Sequence, residues 1–207
     1  DALGLAFAHI SCSAGMSEGQ LTGRLLPVGD GGRFEYVRSE FVRCYEDGGV
    51  FLFDEIDAAD SNTLLVLNSA LANGQMALAN RPENPVAKKH PDFVAIAAAN
   101  TYGTGADRQY VGRNQLDEST LDRFRIGQVE MDYDSEVEAA LCPDDDLRTR
   151  LQGYREAIRA NRLRRIVSTR FLRDAFVMKQ AGDTDADIDA ALLAGWSADE
   201  VRKVKGA

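Results

Sequence analysis

Four large apolar residues, Val50-Phe51-Leu52-Phe53, run directly into Asp54-Glu55-Ile56-Asp57, which places three carboxylates within four positions. An apolar run of that length, preceded by Gly48-Gly49, reads as a fully buried strand. In a parallel sheet, ligands bind in the crevice beyond the carboxyl ends of the strands, so a strand ending in Asp-Glu presents two carboxylates to that crevice. The pair suits nucleotide hydrolysis: the aspartate can hold Mg²⁺ through water, and the glutamate can polarise the water that attacks a γ-phosphate. The same residues also suit a buried strand leading into a solvated acidic helix start, with Asp57 and Asp60 complementing the helix dipole. The Asp-Glu pair by itself leaves both open.

The elements that would position these carboxylates lie around them. Residues 5 to 12 are apolar nearly throughout and read as a short buried strand. Gly29-Asp30-Gly31-Gly32, set between residues 24 to 28 and 33 to 37, signals a hairpin. Ser39 caps a helix through Asp47, stopped by Gly48-Gly49. A helix from Ser61 puts Leu64, Leu65, Leu67 and Leu71 on its apolar side and closes near Asn73-Gly74. Residues 80 to 92 hold three prolines and read as a loop. Residues 93 to 99 form a second buried strand that stops at Asn100, and a short helix from Glu118 to Phe124 precedes a strand from Arg125 to Met131. Beyond Ser135 the pattern is helical, with a break at Asp144-Asp145-Asp146 and an acidic linker at residues 183 to 189. Asp1-Ala2-Leu3-Gly4 reads as a helix end with glycine as its stop. Strands alternating with helices, then helices alone, predict an α/β core over residues 1–134 and a small α-helical domain with a tail over 135–207.

Composition narrows the function classes. The 207 residues carry 33 acidic against 24 basic side chains, a net charge of -9, which argues against general affinity for nucleic acid or an anionic membrane. No apolar run approaches the ~20 residues that cross a bilayer, and nothing near the start resembles a signal peptide. Cys12, Cys44 and Cys142 are an odd number at unrelated spacings, which fits neither a disulfide framework nor a zinc knuckle. The cytoplasm is the expected compartment.

Further along the chain stand Leu116-Asp117-Glu118-Ser119-Thr120-Leu121-Asp122-Arg123-Phe124 and Ile166-Val167-Ser168-Thr169-Arg170. With Asp54-Glu55 and the strand ending at Asn100, this ordered series resembles the AAA+ ATPases, in the branch that holds the MoxR-type, CobS-type and dynein-related ATPases. The resemblance covers nearly the whole chain. It implies an AAA+ P-loop nucleotide-hydrolase core with a parallel sheet and an α-helical lid, using ATP and Mg²⁺. Asp54 then corresponds to the Walker B metal residue and Glu55 to the catalytic base. Asn100 corresponds to sensor 1, whose amide can bond the attacking water and a γ-phosphate oxygen; taken alone, it fits a strand-end turn residue better. Arg123 corresponds to the arginine finger that reaches a neighbouring subunit's site, although a surface salt bridge with Asp122 or Glu118 also suits it. Arg113, in Gly112-Arg113-Asn114, is its rival for that role. Arg170 corresponds to sensor 2, brought from the lid onto the nucleotide. Arg162, Arg164, Arg165 and Arg173 read as a solvated or interface face. The hairpin matches an insertion that this branch carries toward the ring pore, where Phe34 and Tyr36 would touch a client, or else pack in the ordinary way.

The family's phosphate loop, G-x-x-x-x-G-K-[ST], has no counterpart here, since none of Lys88, Lys89, Lys179, Lys203 and Lys205 follows such a loop. The family places that motif on the first strand and helix, just ahead of a segment like Asp1 to Gly4. The resemblance therefore implies an N-terminal truncation after the Walker A helix, a sheet without its first strand, and a fragment inactive alone. The expected function is ATP hydrolysis by a subunit of a homo-oligomeric ring, a hexamer by family, that remodels a protein or metal-chelatase partner. A non-hydrolysing AAA+-like binding or assembly module is the alternative.

Overall fold

The computed structural model describes residues 4–29, 32–106, 110 and 112–206. The chain divides into two compact units, residues 1–128 and 129–207. In the first, the strand expected at residues 50 to 53 is β4 (Gly49–Asp54), the middle member of a three-stranded parallel sheet. Its neighbours are β1 (Phe7–Ser11) and β7 (Phe93–Ala97), with Ser11 level with Asp54 and Ala97 level with Phe53. A middle strand needs apolar residues on both faces, and Val50, Phe51 and Phe53 are all buried. Phe51 and Phe53, two residues apart and so on one face, meet Phe41 of α2 (Glu40–Asp47) at ring-centroid distances of 5.2 and 5.5 Å. Tyr45 and Phe93 extend the cluster, 5.1 Å apart. Tilted and edge-to-face pairs of this kind add about 0.5–1.5 kcal/mol each beyond burial. The Tyr45 hydroxyl donates to the Ala70 carbonyl at 2.7 Å on α3 (Ser61–Asn73), so the buried ring keeps its polar end satisfied.

The link from α2 into β4 explains the double glycine. Ser39 caps α2, accepting from the Val42 amide at 3.0 Å. Gly48 (φ 89°) and Gly49 (φ 147°) then carry the chain straight into the central strand. A Cβ on Gly49 would lie 2.9 Å from the Ala6 carbonyl oxygen, closer than a side chain can approach.

Several expectations are corrected. β1 and β7 are not buried throughout, because each ends the sheet and has a strand on one side only; Phe7, Val94 and Ile96 are exposed. Residues 125 to 131 form no strand. Among the described residues they have no ladder partner to bury them, and Ile126 is 99% exposed. Leu65 also faces solvent, since one residue along a helix turns the side chain by about 100° away from Leu64. Within the expected loop at residues 80 to 92, β6 (Val86–Lys88) pairs antiparallel with β5 (Gln75–Ala77) and buries Met76 and Ala87. Its prolines stand outside the ladder, where a missing N–H costs nothing. β2 (Arg24–Val28) and β3 (Arg33–Val37) pair as the hairpin expected; turn residues Asp30 and Gly31, and the helix end at residues 1–3, lie outside the described residues.

The second unit is helical: α5 (Ser135–Leu141), α6 (Asp145–Ala160), α7 (Thr169–Ala181), α8 (Asp185–Leu192) and α9 (Ala198–Lys205). Leu147, Leu151 and Ile158 of α6, spaced by four and seven residues on one face, pack with Val167, Leu172, Ile188 and Val204. The break at residues 144 to 146 is the start of α6, where Asp144 accepts from the Leu147 amide at 2.8 Å. Residues 183 to 189 are not a linker. Thr184 and Asp187 form a capping box that opens α8, and the acidic first turn complements the helix dipole. Among the described residues, no helix is long and apolar enough to cross a membrane.

Candidate functional site

Beyond Asp54 the chain turns sharply. Glu55 holds a left-handed backbone (φ 54°, ψ 42°), a conformation that costs a non-glycine residue about 1–3 kcal/mol and collects at functional sites. The Glu55 amide donates to Asp54 Oδ1 at 3.0 Å, and the Ile56 amide donates to the Ala98 carbonyl at 2.9 Å, just past β7. Asp54 and Glu55 are thereby held at the carboxyl end of the central strand. Cys12 sits beside them, its amide donating to the Asp54 carbonyl at 2.8 Å. Burial, then the charges of Asp54, Glu55 and Asp57, push its thiol up to about 11.

Asp57 is the largest departure from the solvated reading, because its side chain is 0% exposed. The Thr101 amide and hydroxyl donate to Oδ2 at 3.0 and 2.9 Å. Arg113 Nη1 lies 3.6 Å from Oδ1, while Arg113 Nη2 donates to Glu55 Oε1 at 2.9 Å. The hydrogen bond to Glu55 raises the Arg113 guanidinium above its ordinary range; burial opposes this, and the charge of Asp57 adds to it. Asn114 completes the cluster, its amide donating to the Asp57 carbonyl at 2.7 Å and its side chain to the Ala59 carbonyl at 2.9 Å. Glu55 remains 44% exposed, and among the described residues its Oε2 has no partner.

Asn100 lies between two anchored positions, Ala98 and Thr101, and is exposed with its side chain unengaged among the described residues. A Mg²⁺ ion fits the donor set: Asp54 Oδ1 accepts from Glu55, leaving Oδ2 for a water-shelled cation. Among the described residues no group of three or more His, Cys, Asp or Glu could cage a metal.

The two candidate finger arginines differ. Arg113 is turned into its own chain's carboxylates with a side chain only 14% exposed. Arg123 ends α4 (Glu118–Arg123), which is fixed to α3 by the Asn68 amide donating to the Thr120 hydroxyl at 2.8 Å. Its guanidinium stands 3.8 Å from Asp122 Oδ2, and Glu118 pairs with Arg125 instead. In the hairpin, Tyr36 is an anchor, donating to the Thr22 carbonyl at 2.6 Å at the end of α1 (Glu18–Thr22), while Phe34 is 65% exposed.

In the second unit, Arg170 lies exposed on the first turn of α7 without a side-chain partner among the described residues. The residues beside it are tightly held. Arg155 Nε donates to the Val167 carbonyl at 2.8 Å, and the Thr169 hydroxyl donates to Glu138 Oε1 at 2.7 Å. Glu138 also accepts from Arg155 Nη2 at 2.6 Å, Arg155 Nη1 at 3.1 Å and Gln152 at 2.9 Å. Burial pushes Glu138 upward, but the donors Arg155, Gln152 and Thr169 outweigh it and hold the carboxyl down at about 2. Of the arginines expected as a solvated or interface face, Arg162, Arg164 and Arg173 are exposed, while Arg165 pairs with Glu200 and Arg173 with Asp174.

Three contacts here have no clear sequence signal: Arg113 on Glu55, Thr101 on Asp57, and Glu138 on Arg155, at separations of 58, 44 and 17 residues. Gly112-Arg113-Asn114 reads in the sequence only as a rival finger site, not as a partner for Glu55. Comparison with known proteins bears on the first unit. An uncharacterized protein of Staphylococcus epidermidis is 27% identical over 134 residues, covering 63% of this chain and 47% of that protein. The aerobic cobaltochelatase subunit CobS of Sinorhizobium sp is 31% identical over 85 residues, covering 40% of this chain and 25% of CobS. The chain thus spans about half the length, or less, of these curated relatives. A crystal structure of a candidate ATPase from Cytophaga hutchinsonii aligns with a TM-score of 0.48 at 16% identity, covering 91% of this chain and 68% of that one. The sequence profile of the AAA domain (dynein-related subfamily) matches residues 1–124, which include β4, Asp54, Glu55, Asn100, Arg113 and Arg123, and the chain belongs to that family.

Proposed function

We propose that the full-length protein binds and hydrolyses ATP as a cytoplasmic subunit of a homo-oligomeric ring. One observation carries this reading: Glu55 stands at the carboxyl end of the central parallel strand on a strained backbone, held through Oε1 by Arg113, with Oε2 open among the described residues. A carboxylate so fixed can take a proton from a water aligned on a γ-phosphate. Asp54 would hold Mg²⁺ through water, and the ion would neutralise charge on the β- and γ-phosphates. Asn100 would orient the attacking water by its amide. Arg123, outside the carboxylate cluster of its own chain, would serve a neighbouring subunit's site. Arg170 would contact the nucleotide, its helix start held by Val167 and Thr169. Residues 135–207 would form the lid.

Likeness to the cobaltochelatase subunit CobS supports a protein client, a metal-chelatase partner included, and exposed Phe34 is a candidate contact for it. In the full-length protein, Glu55→Gln should keep nucleotide affinity and lower turnover by about 10²–10⁴-fold, the range for a general base. Arg123→Ala should lower turnover by ~10³-fold or more at similar affinity. Phosphate release by Glu55→Gln at the wild-type rate would leave the non-hydrolysing assembly module as the better reading.

A further inference from the structure

We propose that Arg113 acts within its own subunit as the positioning residue for Glu55, tethering that carboxylate to the buried carboxylate of Asp57; this rests on Glu55 being the catalytic base. The physical argument starts from Asp57. A carboxylate with no exposure is costly unless its charge is compensated and its oxygens are bonded. Thr101 satisfies Oδ2 twice, but Oδ1 is buried without a hydrogen-bond partner. Among the described residues, the guanidinium of Arg113, with Nη1 3.6 Å from that atom, is the cation that faces it.

The other prong of the same guanidinium, Nη2, holds Glu55 Oε1. Neighbouring Asn114 pins the loop to the Asp57 and Ala59 carbonyls, so the guanidinium is delivered from a fixed backbone. Were Arg113 to swing toward another subunit, Asp57 would be left buried and uncompensated and Glu55 untethered. A planar fork is suited to hold two carboxylates at once. Fixing one Glu55 oxygen leaves the other with a single direction in which to meet water, and misplacement of a reacting group by about 1 Å can cost on the order of 10²-fold in rate.

The test uses the full-length protein. Arg113→Ala should lower kcat by about 10- to 100-fold with KM little changed, and Arg113→Lys, which keeps the charge but not the fork, should recover part of the loss. Mixing Arg113→Ala with Glu55→Gln subunits should regain no activity, since no site then contains both residues. The parallel mixture of Arg123→Ala with Glu55→Gln should regain some. Thermal unfolding of Arg113→Met, Asp57→Asn and the double variant should be non-additive, a readout independent of turnover. Regained activity in the Arg113 mixture, or additive unfolding, would overturn the Arg113 assignment alone. Turnover surviving Glu55→Gln would instead overturn the base assignment, and the positioning role with it.

Discussion

Glu138–Arg155 in the second unit and Glu55–Arg113 in the first are both arginine–carboxylate contacts, yet they are built in opposite ways. Glu138 is 1% exposed and receives hydrogen bonds from both Arg155 Nη groups, from Gln152 and from Thr169. Tyr133 closes the far side, with the Arg155 guanidinium 3.5 Å from its ring centroid. Glu55 is 44% exposed, receives one side-chain hydrogen bond among the described residues and sits on a left-handed backbone. A carboxylate whose lone pairs are all engaged can order a fold but has no site left for a proton from water. One held by a single oxygen is oriented and still basic at the other. Shared residue types therefore do not imply a shared role; the count of donors and the access of water separate them.

The contrast is open to test in stability as well as in turnover. The largest effect should follow Arg155→Met, which strands a buried carboxylate and should cost about 3–5 kcal/mol in urea or thermal unfolding. A loss below ~1 kcal/mol would put the two centres on the same footing. Acid should come next. The Glu138 carboxyl lies lower in the folded chain, at about 2, than its ordinary 4.5, so the unfolded chain binds the proton more readily. Its contribution is fully present above pH ~4.5 and fades as pH falls toward 2, with a span on the order of 3 kcal/mol at about 1.4 kcal/mol per pH unit. Urea midpoints for wild type and Glu138→Gln, compared across that window, would sharpen the point if only the wild type loses this increment. Thr169→Val removes one donor and should cost about 1.5–2 kcal/mol, as for a hydrogen bond to a charged group. Smallest of all, Glu55→Gln should change stability by less than ~1 kcal/mol, because a half-exposed ion pair contributes little, even though turnover falls steeply.

Much of the first unit was legible in residue order. Ser39 and Gly48-Gly49 bracket α2 because side-chain capping and positive φ are local requirements. Val50 to Phe53 announce a buried strand because a short apolar run directly after Gly48-Gly49 suits the middle member of a sheet. The hairpin strands follow from turn residues at fixed offsets. The expected strand at residues 125 to 131 was misread because a strand is defined by its neighbour, and no ladder partner lies beside that segment among the described residues. β5 and β6 were missed for the converse reason: three-residue strands carry almost no periodicity, and only their pairing makes them strands.

The site divides along the same line. Residue types and their order by themselves determined where the candidate groups stand: Asp54 and Glu55 at a strand end, Asn100 after the next strand, Arg123 on a short helix and Arg170 at a helix start; the roles proposed for them rest on the family resemblance. They could not determine whom Arg113 serves or whether Asp57 meets water. Those answers depend on separations of 44 to 58 residues closing to hydrogen-bond distance. Local propensity acts over a few residues, whereas burial and charge compensation act only once the chain has brought distant side chains together. Tertiary structure therefore decided that Asp57 is buried, that Arg113 faces it, and that Glu55, among the described residues, has one oxygen held and the other without a partner.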